Sequence, residues 1–532
     1  MNIKHILILV AIVMILFTLC GCSDNDDIST AEPGVNTEEI QIDENDPQDE
    51  EVIDEYYIAT SGNDLNSGTI NEPWKTFSRA VGQVNPGDTV YVMEGVYNDR
   101  LIINKSGMHE SFITFMAYPG DSVTIDGEGI DMPEWAGLIH ILRQQYIRIS
   151  GFNIINSPAM GVFACSSNHI TINNNYIYNT FAPGILTWED SNLIIDGNKL
   201  EKTCIEENAP LECLSTRNID HFQISNNHVF ESGAIGIDVA DSFSDGKVFD
   251  NEVHDVGLGI YLDSWEGYGT DTEVFDNICY SNEFGFCVNS ENGGLVENVK
   301  LYNNAAYNNS ANGFTLCWGG VFDASHSVKK IDIFANRSYD NGDNGLCIFG
   351  IRDGLVEDIR IVNNLFYNNK GSGVTIDGVA KEPFAYVIRN IRIVNNTIFN
   401  NGSDDVWGSG GIYIGNPITE TGIMEDITIQ NNIISNNKLF TIAIWPWGTA
   451  PSNVIINHNF FENFLGNTND FGETRGDDYF EGSPSFVDGT TGNFHLSSDS
   501  PAIDIASAAG APSDDFELNV RRSRLWWRSS LQ

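Results

Sequence analysis

Four carboxylates in the middle of this 532-residue chain have a spacing that would let them act together: Glu212, Asp238, Asp263 and Glu291. Hydrolysis of a glycosidic bond needs two carboxyl groups, roughly 5–5.5 Å apart for retention and roughly 6.5–9.5 Å apart for inversion. Like charges held close raise the pKa of one of them, and that one becomes the acid. The same oxygens are a donor set for calcium. Trp188, Tyr261, Trp265 and Trp318 fall at neighbouring positions and would line subsites by stacking on sugar rings. A chain this acidic also brings carboxylates together by chance, so a solvated face is the plain alternative. His254-Asp255 reads as a solvated or capping pair rather than a catalytic dyad.

These residues meet only if the chain stacks them, and from Met160 onward it repeats. Each unit has a Gly, alternating apolar residues, a loop, a second apolar run, one or two Asn, and a third short run. The glycines are Gly161, Gly184, Gly236, Gly259, Gly285, Gly313, Gly345, Gly373 and Gly411. Steps run from 23 to 38 residues, except the 52 from Gly184 to Gly236, which must hold two units. Units of this length with period-2 alternation predict a solenoid in which each repeat is one turn. The fold class is therefore all-β, a single-stranded right-handed parallel β-helix.

Counting from each Gly, positions +1 and +3 are apolar throughout: Ile237 and Val239, Ile260 and Leu262, Phe286 and Val288, and onward to Ile412 and Ile414. Those columns face inward, which leaves +2 and +4 outside. Position +2 carries Asp238 and Tyr261; position +4 carries Trp188, Ala240, Asp263 and Asn289. The unit before Asp238 is expected to begin near Pro210, which puts Glu212 in the +2 column as a stacked neighbour of Asp238. Asp263 lies one coil on and two residues along, about 8 Å from Asp238 between Cα atoms. Glu291, two residues past Asn289, leans over the same exposed groove. A column of Asn (227, 251, 277, 304, 336, 364, 396 and 432) marks a bend, where left-handed backbone and stacked amides are both available to this residue.

The ends read differently. Residues 1–22, MNIKHILILVAIVMILFTLCGC, have a basic start and an apolar stretch too short for a comfortable span. Leu19-Cys20-Gly21-Cys22 looks like a lipoprotein signal, with Cys22 as the lipidated residue and the protein exported and anchored at the cell surface or outer membrane. Residues 23–55 form an acidic tether. Residues 56–110 are an N-terminal cap, with a short amphipathic helix over Trp74–Val81 that plugs the open end. The solenoid is expected over 111–457, a closing segment over 458–510 and an atypical basic tail over 511–532.

The formal charge is −47, from 74 acids and 27 bases, which excludes nucleic acid and anionic lipid as natural partners. Membrane contact is then only through the lipid anchor, and the chain is expected to act as a monomer. Seven Cys remain beyond Cys20 and Cys22, an odd number, and no C-x-x-C pair occurs, which argues against zinc. Cys204 and Cys213 either close a loop disulfide or are buried as small apolar residues.

Tyr56–Tyr97 and the closing FHLSSDSPAID resemble the corresponding parts of secreted right-handed parallel β-helix proteins of the pectin-lyase-like group. That group includes the family 9 polysaccharide lyases. The resemblance implies a β-helix that acts on or binds polysaccharide. Family 9 lyases use a calcium ion held by aspartates and a lysine base. Here no Asp-Asp-Gly-x-Asp run occurs in the coils, and no unit from Gly236 to Gly411 has Lys at +2 or +4. No catalytic residue is carried over, and a base for β-elimination is missing. The expectation is a surface-tethered polysaccharide-active protein, a hydrolase in preference to a lyase. The alternatives are a non-catalytic glycan-binding or adhesin-like lipoprotein and a calcium-dependent lyase.

Overall fold

The computed structural model describes residues 54–519 except 134, 206–211, 318–325, 351–352, 379–384, 407, 416–421, 446–449, 465–471 and 509. The expected lipidation residue Cys22, almost all of the acidic tether, Trp318 and the basic end of the tail lie outside the described residues. The chain winds into a right-handed parallel β-helix with three faces per turn. Its strands form one 27-stranded and one 15-stranded parallel sheet. The larger sheet takes in two faces, because Glu212–Ser225 and Ile235–Phe249 continue round the bend between them.

The inward columns form one continuous core. Ile237, Val239, Ile260, Leu262, Phe286 and Val288 are all buried, and the same columns continue to Ile412 and Ile414. The repeat glycines pack too closely on the next coil to carry a side chain. A Cβ on Gly259 would sit 2.4 Å from the Gly285 carbonyl oxygen of the next coil.

The Asn column is a ladder of buried amides. Asn227 Nδ2 donates to Asn251 Oδ1 at 3.1 Å, Asn251 to Asn277 at 2.9 Å, and Asn277 to Asn304 at 3.0 Å. Left-handed backbone belongs to the residue before each ladder Asn, not to the Asn itself: Asn226, Asp250, Asp276 and Asn303 have φ between 54° and 56°. A second ladder, unread in the sequence, runs through Asn309, Asn341, Asn369, Asn401 and Asn437 after the third strand of each coil.

Both ends depart from expectation. The first coil starts well before residue 111, because Glu55–Ile58 already pairs with Thr89–Val92. The short helix is Phe77–Gln83, with Thr76 as its N-cap, rather than Trp74–Val81. Trp74 precedes it and is buried, its indole N–H donating to the Asn66 carbonyl at 3.0 Å. Phe77, Ala80 and Val81 close the core as the expected plug would. Parallel pairing also runs past 457, through Phe460–Glu462 to Phe480–Glu481. The closing segment then returns along the side of the solenoid. Asn431 exchanges two hydrogen bonds with Ser507, and Asn363 donates to the Asp514 carbonyl at 2.8 Å. The seven described cysteines are free thiols, so the 204–213 disulfide is not formed. Cys204 Sγ donates to the Glu212 carbonyl instead, at 2.8 Å.

Candidate active site

Five adjacent strands of the first face carry the site: β1 (Ile185–Trp188), β2 (Glu212–Ser225), β3 (Ile235–Phe249), β4 (Leu258–Trp265) and β5 (Phe284–Glu291). Their register is continuous, Ser215↔Asp238↔Tyr261↔Cys287 in one outward column and Trp188↔Arg217↔Ala240↔Asp263↔Asn289 in the next. Trp265 pairs with Glu291 two residues further along. Asp238, Asp263 and Glu291 therefore lie on a diagonal, each one coil on and two residues along from the last, at about 8 Å spacing between Cα atoms.

Glu212 does not stand in the +2 column. The hidden unit begins at Cys213, whose carbonyl accepts from Gly184 N at 2.8 Å, so Ser215 takes +2 and Arg217 takes +4. The expectation fails because Cys replaces Gly at the start of the unit and the Gly count has no mark there. Glu212, just ahead of Cys213, still joins the group. Its Oε1 is 3.8 Å from Arg217 Nη1. Two further residues went unread. Arg217 is buried and donates to both oxygens of Asp241, Nε to Oδ2 at 3.0 Å and Nη2 to Oδ1 at 3.2 Å. Asp241 sits at the bend after the first-face part of β3, with φ 64°. The one legible signal was Asp-x-x-Asp at 238–241 following an Arg one coil back.

The carboxylates are recessed rather than exposed as expected, with Asp238 2% and Asp263 8% accessible. Burial comes first in raising the Asp238 pKa well above the usual carboxylate range, and Glu212 adds to it; Arg217 and the Ser215 hydroxyl, donating at 3.1 Å, oppose it. Burial also dominates at Asp263, reinforced by Glu291, Asp238 and Asp241. Asp263 Oδ1 is buried without a hydrogen-bond partner. Glu291 is raised by burial too, moderated by bonds from Tyr261 Oη at 2.9 Å and Asn289 Nδ2 at 3.0 Å. Burial alone would lower the Arg217 pKa, but Asp241 and Glu212 outweigh it and hold the guanidinium firmly charged.

The aromatic residues divide. Trp188 is half-buried, with the Arg217 guanidinium 5.9 Å from its ring and Trp135 edge-on at 6.2 Å. Tyr261 is not a free stacking face. Its ring is buried among Leu258, Phe284 and Cys287, and its hydroxyl holds Glu291 in place. Trp265 is half-buried in the strand pair that also holds Glu291.

The family described as "Pel9A-like, right handed beta helix region" matches residues 56–352. The chain belongs to this family. Its matched region contains the entire carboxylate group. The Pel9A-like chain is 28% identical over 342 residues to YwoF, an uncharacterized protein of Bacillus subtilis strain 168, covering 55% of this chain and 70% of YwoF. It is 34% identical over 138 residues to pectate lyase PEL9 of Emericella nidulans, covering 23% of this chain and 33% of that protein. Among solved structures, a hyperthermoactive exopolygalacturonase from Thermotoga maritima superposes with a TM-score of 0.46 at 14% identity, over 67% of this chain and 86% of the other.

Proposed function

We propose that this Pel9A-like protein cleaves glycosidic bonds of a polysaccharide by hydrolysis, with Asp263 as the general acid and Asp238 as its partner. One observation carries this reading. Two buried carboxyls stand on adjacent coils, both pushed toward the protonated form, and one of them has an oxygen without a partner. A carboxyl kept protonated near neutral pH can deliver a proton to the leaving oxygen. Asp263 would give its proton to the glycosidic oxygen as the C1–O bond breaks. Asp238, whose ionised form the Arg217 guanidinium and the Ser215 hydroxyl favour, would in that form take a proton from the water whose oxygen bonds to C1. The diagonal spacing of about 8 Å, for side chains that point the same way, falls in the window of about 6.5–9.5 Å for inversion. Glu291, fixed by Tyr261 and Asn289, keeps the Asp263 proton in place by its charge. Trp188 would supply a stacking face at the end of the groove.

The local likeness to a pectate lyase favours a second reading, calcium-dependent elimination. The donor set fits a hard cation. Four carboxylates, Glu212, Asp238, Asp241 and Asp263, interact with the one Arg217 guanidinium, and Asp263 Oδ1 is an orphan oxygen. Asp238 and Asp263 would hold the ion, which when bound would neutralise acidic groups of the substrate. Elimination still needs a base. Arg217 is held charged by Asp241 and Glu212, and no lysine stands at the +2 or +4 positions of β1–β5.

Incubation with a panel of neutral and acidic polysaccharides separates the readings. New reducing ends without unsaturated products support hydrolysis; unsaturated products that depend on calcium support elimination; neither leaves a glycan-binding protein. For the hydrolase, Asp263→Asn and Asp238→Asn should each lower turnover by about 100-fold or more. Activity should fall on the alkaline side, where Asp263 loses the proton that burial helps it keep. We also propose that the protein is exported and lipid-anchored through Cys22, on the strength of the Leu19–Cys22 segment.

A further inference from the structure

Away from the carboxylate groove, the 15-stranded sheet brings two imidazoles and a carboxylate together. His228 lies on the strand His228–Phe230, Glu252 and His254 on the next, Glu252–His254, with His228 paired to Glu252 and Phe230 to His254. One ligand atom from each residue lies within 4.8 Å of the other two. We propose that His228, Glu252 and His254 form a site for a divalent transition-metal cation of the zinc class, separate from the groove and from any calcium held there.

Three observations support it. First, the two Nε2 atoms face each other at 2.9 Å. Two nitrogens bound at about 2.0–2.1 Å to a tetrahedral ion stand about 3.3–3.4 Å apart, so parting the rings by about 0.4 Å lets an ion replace the single proton these atoms can share. Second, His254 Nδ1 is 2.6 Å from Asp255 Oδ2. That carboxylate accepts a hydrogen bond from Nδ1–H when the proton sits there, which leaves the Nε2 lone pair free for a metal, the outer-shell arrangement common to histidine ligands. Third, the rings are held in place. His254 is stacked between Phe230 at 5.2 Å and Tyr280 at 4.6 Å, and His228 packs on Phe230 at 4.4 Å. Glu252 accepts from Tyr280 Oη through Oε1 at 2.9 Å, which leaves its other oxygen for the ion.

The electrostatics are mixed but permissive. The Lys199 ammonium opposes a cation, but it is 3.6 Å from Glu201 and lies over the Phe230 ring at 5.0 Å. Glu252 and Asp255 supply the countering charge. Imidazole donors select zinc, copper or nickel over calcium.

The test uses the full chain stripped with a chelator and titrated with Zn²⁺ by calorimetry, with Co²⁺ absorption as a second readout. Wild type should bind one ion that His254→Phe abolishes, a change that keeps the ring in the stack. Exposed Glu252→Gln should weaken binding at least tenfold without risk to the fold, and Asp255→Asn by roughly 10- to 100-fold. Zn²⁺ should raise the Tm of wild type but not of His254→Phe. His221→Ala should leave this binding unchanged, since His221 belongs to a separate exposed group with Asp220 and Asp245. The proposal is overturned if neither metal binds, if His254→Phe and Glu252→Gln bind like wild type, or if only His221→Ala removes the site.

Discussion

Arg217 is the residue on which the carboxylate cluster depends. It is buried, and it neutralises Asp241 and Glu212 directly and Asp238 at longer range. Removing one partner of a buried pair costs about 3–5 kcal/mol, because the charges left behind stay desolvated. Arg217→Met should therefore lower the urea midpoint strongly at pH 8 and less at pH 5, where the cluster takes up protons. Equal losses at the two pH values would refute this role. Asp190, beyond the end of β1, gives an independent pH effect. Burial, with Glu189 adding, pushes its carboxyl up to about 7, against bonds from the Ser167 and Trp188 backbone. Between about pH 4 and pH 7 the folded state then holds a proton that the unfolded chain has lost, so stability falls as pH rises through that window. Asp190→Asn should flatten this fall and raise stability at pH 8 by on the order of 1–3 kcal/mol, read from denaturation curves at several pH values.

At the scale of the strand, two kinds of column bind coil to coil. The amide ladder is the more demanding. Asn277 Nδ2 donates to the carbonyls of Val248 and Phe275 and to Asn304, while its Oδ1 accepts from both nitrogens of Asn251. Asn277→Ala would orphan several buried groups at once and should cost about 2–5 kcal/mol in equilibrium unfolding. A loss below about 1 kcal/mol would mean that water replaces the amide. The aromatic column on the 15-stranded sheet is more forgiving. His254, Tyr280, Tyr307, Tyr339 and Tyr367 stack in sequence at 4.6–5.1 Å with nearly parallel planes. Their faces are occupied by each other, so the column is a packing device and not a platform for sugar rings.

Over the whole molecule, the acid excess is large and the charge bias keeps polyanions such as nucleic acid away. That effect is long-range and salt-dependent, whereas the recessed cluster beside Arg217 is screened far less. The closing segment, bound at Asn431 and Asn363, runs back over several coils, so it ties together parts of the solenoid far apart in sequence. The N-terminus carries its own prediction. Expressed in a lipoprotein-processing bacterium, the mature protein should begin at Cys22 with an attached diacylglyceride, and Cys22→Ala should release it from the membrane fraction. Mass spectrometry showing an intact leader or cleavage elsewhere would remove the anchor.

What the sequence determined by itself was the architecture and the diagonal of Asp238, Asp263 and Glu291. Both follow from local periodicity: a period-2 strand sends every second side chain outward, and a repeated Gly marks where each coil begins. Glu212 was found for the wrong reason, because its placement depended on where a unit without a glycine begins. That point is decided by the pairing of β2 with its neighbours, a contact between segments far apart in the chain. Arg217 and Asp241 stayed hidden for the same reason, and so did the role of Tyr261, whose ring is buried by residues from the next coil. The depth of the carboxylates, and with it their acidity, belongs to the tertiary structure alone. Desolvation depends on everything packed around a group, and one strand's pattern contains only its own part of that surrounding.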